Sequence, residues 1–155
     1  FMMLNRSNDV ELDFDFDKVK EKTKDNPVFY VQYAYARINS LLRTLNLDLF
    51  EKINFNQENI KFNEMEVKII RKIFEWPKII ESASKKFDLH KIPYYLYELS
   101  TLFHAYWSKG NQDITYKFIQ KDQIKREEIL LVINLVALVI QNGMKILGVN
   151  LPKKM

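Results

Sequence analysis

The chain has 155 residues, 47% hydrophobic and 28% charged, which predicts one packed globular domain. Its 3 Gly and 4 Pro argue against a turn-dense all-β fold and against a disordered tail, and its lack of cysteine excludes disulfides, thiolate metal sites and cysteine nucleophiles. A net charge of +4 favours an anionic partner without demanding one.

The chain opens on Phe1-Met2-Met3-Leu4, followed at once by Asn5, Arg6 and Asn8, so no secretory signal is visible. An apolar residue ahead of any Met reads as the start of an excised piece. The alternation Glu11-Leu12-Asp13-Phe14-Asp15-Phe16-Asp17 predicts an extended connector, with Phe14 and Phe16 tucked into a neighbour. A short helix over Asp17 to Lys24 follows. Four carboxylates in the connector argue against phosphate contact there.

Asn26 is suited to cap a helix and Pro27 to begin its first turn, so a long helix is expected from Pro27 to about Leu45. At roughly 100° per residue, Val31, Tyr35, Ile38, Leu42 and Leu45 form its core stripe. Tyr33, Arg37, Ser40 and Thr44 fall on the opposite side with Phe29 beside them. Aromatic rings with a guanidinium on a wet face suit stacking on unpaired nucleic-acid bases.

Asparagines break up the stretch from Asn46 to Asn63, where Asp48 to Ile53 allows one helical turn. Asn63 with Glu66 three positions on reads as a capping box, opening a helix over Met65 to Phe74. Trp76-Pro77 should end or kink that helix, and Pro77 should start the next. Asp88 is suited to cap a further helix, with Tyr94, Leu96, Leu99, Leu102, Phe103 and Tyr106 on one broad side and Gly110 as its stop. A loop over Asn111 to Phe118 leads into Lys117, Lys121, Lys125 and Arg126, either a phosphate rim or a solubilising start to the last helix.

That last helix is expected from Asp122 to Leu147, closed by Gly148. Its length, about 25 periodic residues, far exceeds a strand. It is apolar all round from Ile129 to Ile140, the mark of a buried central helix. The apolar run, broken by Asn134, falls short of the roughly 18 residues of a membrane span. The fold class is therefore all-α, a helical bundle with a short extended N-terminal lead-in.

The run "DNPVFYVQYAYAR" at Asp25 to Arg37 resembles the opening of the helical anticodon-binding domain, the DALR domain, of arginyl-tRNA synthetases. "IPYYLYELSTLFHAYW" at Ile92 to Trp107 and "NGMKILGVNLPKKM" at Asn142 to Met155 resemble later parts of it. "FMMLNRSNDVELDFDFD" at Phe1 to Asp17 resembles the exit from the catalytic domain. The resemblance implies residues 1–25 as connector and 26–155 as anticodon-binding domain. It further implies a C-terminal portion of a larger enzyme that attaches arginine to tRNA(Arg) with ATP and Mg.

In this chain the glycines are Gly110, Gly143 and Gly148, none in a phosphate-cradling loop. The two histidines, His90 and His104, lie fourteen positions apart, so the His-x-Gly-His signature is absent, and no Lys-Met-Ser loop is present. His104, beside Tyr106 and Trp107, reads as a hydrogen-bonded packing residue. The expectation is a piece with no catalytic site, cofactor or metal of its own.

Matching the family's motifs, Tyr33 and Arg37 look like loop-contacting positions. Met155 matches a terminal Met whose tail folds back towards the anticodon, with Lys153 and Lys154 placed for phosphates; the alternative is a frayed end. Tyr106 and Trp107 occupy a part that approaches the loop, with core packing as the alternative. The implied partners are the tRNA(Arg) anticodon loop and the parent's catalytic domain, in a cytoplasmic monomer without membrane contact. Two rivals stay open: a stand-alone protein-interaction module with exposed aromatics, or the same bundle from a different class I synthetase.

Overall fold

A computed structural model describes residues 1–4, 15–23, 25–50, 60–120, 123–124 and 127–155. Six helices carry the described fold: α1 (Phe16–Lys20), α2 (Pro27–Thr44), α3 (Glu64–Phe74), α4 (Trp76–Lys86), α5 (Lys91–Gln112) and α6 (Glu127–Ile146). The expected all-α bundle is what forms. Between α5 and α6 lie a 3-10 turn (Ile114–Tyr116) and an antiparallel pair of two-residue strands, β1 (Ile119–Gln120) and β2 (Gln123–Ile124).

The sequence's punctuation sets most helix ends. Asn26 accepts from the Phe29 amide and donates to the carbonyls of Val19 and Glu21, each at 2.8 Å. The start of α2 is thereby tied to the lead-in that precedes it. Asn63 and Glu66 form the complete capping box of α3, the Asn63 amide donating to Glu66 Oε2 at 2.8 Å. Glu75 separates α3 from α4, and Pro77, in the first turn of α4, has no N–H with which to continue the hydrogen-bond ladder of α3. At the far end Gly148 takes φ +67, while the Val149 amide bonds back to the Met144 carbonyl and the Gly148 amide to Lys145.

Five expectations need correction. Asp88 does not cap α5; its carboxylate pairs with Lys91 Nζ at 2.7 Å, and the helix begins without a side-chain cap. Gly110 does not stop α5, which runs on to Gln112. A Cβ there would lie 2.9 Å from the Tyr116 carbonyl oxygen, so the missing side chain lets the following turn fold back onto the helix. The last helix starts at Glu127 rather than Asp122, with the small strand pair ahead of it. Tyr94 is 59% exposed and Tyr95 takes the core position. Phe16 is 70% exposed rather than buried. The helical turn expected at Asp48 to Ile53 runs into undescribed residues, and Phe14, Lys121, Lys125 and Arg126 lie among them.

α6 is the core member, as its all-round apolarity predicts. Ile129, Val132, Ile133, Val136, Ala137 and Ile140 are all buried, and the helix packs on α2, α3 and α5. By length and composition its 20 residues would suffice to cross a membrane, more than the apolar run alone suggested, and most of its surface is buried against the rest of the chain. Gly143 marks where α6 comes closest to α5, since a Cβ would meet Leu96 Cδ2 at 2.7 Å.

Candidate nucleic-acid interface

α2 buries Val31, Tyr35, Ile38 and Leu42 and leaves Tyr33 and Arg37 half-exposed, as the periodicity requires. One helical turn separates these two side chains, so they lie one above the other. The Arg37 guanidinium carbon sits 4.2 Å above the Tyr33 ring centroid and 5.3 Å from that of Trp107 on α5. Tyr33 is itself braced by Phe29, whose ring centroid is 5.8 Å away at an interplanar angle of 15°. The cation is thus held against two aromatic faces, an arrangement that favours a planar guanidinium over a lysine ammonium.

His104 fixes this arrangement from below. Its Nε2 is 3.1 Å from the Tyr30 carbonyl oxygen, and its Nδ1 is 3.1 Å from Arg37 Nη1. A carbonyl only accepts, so Nε2 carries the proton and Nδ1 is left to accept from the guanidinium. Burial pushes the imidazole down to about 4; the bond to Tyr30 opposes that shift and the nearby Arg37 charge adds to it. His104 is the hydrogen-bonded packing residue the sequence suggested, with the added role of orienting Arg37. Only the spatial meeting of α2 and α5 reveals that role.

The neutral ring has a consequence for stability. An unfolded histidine titrates near 6.5 and this one near about 4, so between those values the unfolded chain binds more protons. Stability should be complete above roughly pH 6.5 and fall as pH drops towards about 4, with a slope of up to about 1.4 kcal/mol per pH unit. Thermal melts across this range should show the fall in the wild type and a flatter profile in His104→Gln. Equal slopes in the two proteins would contradict the assignment.

The residues after α6 return along α2. Gln32 Nε2 donates to the Asn150 carbonyl and Arg43 Nη1 to the Lys153 carbonyl, both at 2.8 Å. This brings Lys154 and Met155 to a cleft of about 380 Å³ that they line with Tyr33, Ala36, Arg37, Ser40, Arg43 and Trp107. Among the described residues no Asp or Glu side chain lines it. Lys153 is exposed beside it, Met155 is 51% exposed, and Trp107 is half-buried. Tyr33, Arg37, Trp107, Lys154 and Met155 therefore converge on one place, with Arg43 an addition that no local sequence pattern singled out.

Tyr106 does not join them. It is 1% exposed, and its hydroxyl donates to Glu66 Oε1 at 2.6 Å and accepts from Asn63 Nδ2 at 3.0 Å. A ring so enclosed has no face free for a base, and packing is its role. Adjacent helical residues point about 100° apart, so Trp107 and Tyr106 cannot share a surface. Lys117 is exposed outside the cleft, beside a second cavity. Among the described residues no three His, Asp or Glu side chains gather as a metal site would need.

The DALR anticodon binding domain family matches residues 31–155. The arginine–tRNA ligase of Pelagibacter ubique is 50% identical over 155 residues, covering 100% of this chain and 27% of that protein. That of Ruegeria pomeroyi is 41% identical over 160 residues, covering 100% of this chain and 28% of that protein. A solved structure assigned as an arginyl-tRNA synthetase, from Campylobacter jejuni, superposes with a TM-score of 0.79 at 23% identity, over 100% of this chain and 32% of that one; it speaks for the fold. The chain spans about a quarter of the length of the curated relatives it matches. With the family matched over most of its length and the bundle in the expected arrangement, the chain belongs to the DALR anticodon-binding domain family.

Proposed function

We propose that this chain is the tRNA-selecting part of an arginine–tRNA ligase, holding the anticodon loop of tRNA(Arg) in the cleft between α2, α5 and the C-terminal tail. The observation that carries this reading is the Arg37 guanidinium clamped against Tyr33 and Trp107, with Lys154 and Met155 completing the rim. An unpaired base stacks on an aromatic or guanidinium plane while donors read its edge, and cations beside it take the flanking phosphates. Tyr33, Arg37, Trp107 and Met155 would contact the base, and Lys153 and Lys154 the phosphates. Residues 26–155 act as the binding unit and residues 1–25 as the connector to the catalytic domain. That other domain would hold ATP and Mg and join arginine to tRNA through an arginyl-adenylate, in a cytoplasmic monomer free of membrane contact.

The test is a binding titration with arginine tRNA at rising salt. Contacts to two phosphates of a single-stranded loop predict a log–log slope of about −1.4. Lys154→Ala should lower its magnitude by roughly 0.7. Arginine tRNA should also outcompete unrelated tRNAs. Salt-independent binding, or a preference for a tRNA with a non-arginine anticodon, would overturn the reading. The relatives' shared name disfavours a general protein-interaction module.

A further inference from the structure

Sulfur enters this chain only as methionine, at 5 positions, and with no cysteine present no thiolate competes for an oxidant. Burial sorts these methionines. Met144 lies in the core at 0% exposure, and Met2 and Met65 are half-buried. Met3 and Met155 stand open, at 70% and 51%. Met3 belongs to the lead-in, whereas Met155 lines the cleft with Tyr33, Arg37, Arg43, Trp107 and Lys154. Its thioether thus combines access for a small oxidant with a place at the rim where RNA would bind. Arg43 holds the tail by the Lys153 carbonyl, two residues before Met155, so chemistry at the thioether leaves that anchor in place.

We propose that Met155 is an oxidative modification site, at which hydrogen peroxide converts the thioether to the sulfoxide and so weakens the cleft's hold on RNA. The inference rests on the RNA-binding reading above. A sulfur lone pair attacks one peroxide oxygen, the O–O bond breaks, and the departing hydroxide takes the proton from the transferred oxygen to leave as water. Sulfur is oxidised and the peroxide reduced, with no other reactant needed. An apolar, flexible side chain becomes a polar one whose new oxygen accepts hydrogen bonds. Arg37, Ser40, Arg43 and Lys154 surround it with donors, and among the described residues no Asp or Glu lines the cleft. The sulfoxide oxygen therefore draws on N–H groups that a base edge or phosphate would otherwise use, while the net charge of the cleft stays the same.

The test treats the protein with hydrogen peroxide, locates the added oxygen by peptide mass spectrometry, and titrates an anticodon stem-loop RNA of the arginine tRNA sequence before and after. Met155 and Met3 should be oxidised well ahead of Met65 and Met144. Affinity should fall by about 2- to 12-fold, the range of one sulfur–aromatic contact, here to a base. The salt slope should hold, because the sulfoxide is neutral. The two methionine sulfoxide reductases, one for each epimer, should together restore binding. Met3→Leu should lose affinity on treatment as the wild type does, whereas Met155→Leu, whatever its starting affinity, should lose none. Met155 left intact while Met3 is oxidised would overturn the proposal. So would complete oxidation of Met155 with no loss of affinity, or an equal loss in Met155→Leu. Untreated protein that fails to bind the stem-loop would overturn the cleft reading itself, and the proposal with it.

Discussion

Arg37→Ala is expected to weaken binding of the anticodon stem-loop by about 10- to 150-fold, and to lower the melting temperature as well, because the buried His104 Nδ1 loses its donor. The guanidinium uses Nη1 on His104 and its face on Tyr33 and Trp107, which leaves other N–H groups to reach a base. A hydrogen bond to a charged group contributes about 1.5–3 kcal/mol to binding, whereas the cation–π contacts to Tyr33 and Trp107 exist in the free protein and hold the guanidinium in place. Truncation also removes what keeps the two rings apart, so they can close on the space a base would enter. Arg37→Lys separates charge from shape: it keeps the cation but loses the planar fork, and should recover only a small part of the affinity. Fluorescence anisotropy at fixed salt measures both. Full recovery by lysine would reduce Arg37 to a point charge, and a loss under twofold in the alanine variant would remove it from the interface.

Glu66→Ala should cost about 2–4 kcal/mol of stability, as much as many core truncations. Glu66 is fully buried and serves two masters. One carboxyl oxygen closes the capping box of α3 on the Asn63 amide, and the other accepts the Tyr106 hydroxyl. Losing a cap costs about 1 kcal/mol, and stranding a buried hydroxyl a further 1–3. For a domain of this size that is a fall of roughly 5–15 °C in melting temperature. Glu66→Gln, which retains an acceptor for Tyr106, should lose less. A melt of the alanine variant within 2 °C of wild type, by about the same scaling, would show that the network carries no such weight.

The parts of the fold written in short-range chemistry could be read from the residues alone. Pro27, the Asn63–Glu66 spacing, Trp76-Pro77 and Gly148 each act within one turn, and each sets an end where expected. Tyr33 and Arg37 were legible for a similar reason, since helical phase alone puts them opposite Val31 and Ile38. What stayed hidden depends on partners distant in the chain. Tyr106 shares a stripe with Leu99 and Phe103, and its hydroxyl is satisfied by Glu66 and Asn63, forty or more positions earlier. Gly110 looks like a stop by local rules, but its purpose is to admit the Tyr116 backbone. Asp88 had two local options, and the ion pair with Lys91 won over the cap. Trp107 and Met155 gained their place only because α5 and the tail both lie against α2.

The tail is fastened through its main chain. Gln32 and Arg43 grip the carbonyls of Asn150 and Lys153 and touch neither side chain's identity. Every amino acid has that carbonyl, so mutation can freely rewrite positions 150 and 153 while the strand's path stays put. The freedom lies on the strap and the constraint on the buckle: Gln32 and Arg43 hold the path, and Arg43 is to that extent withdrawn from grasping RNA directly. Evolution could therefore tune the chemistry at the lip of the cleft, residue by residue, without redesigning how the lip is attached.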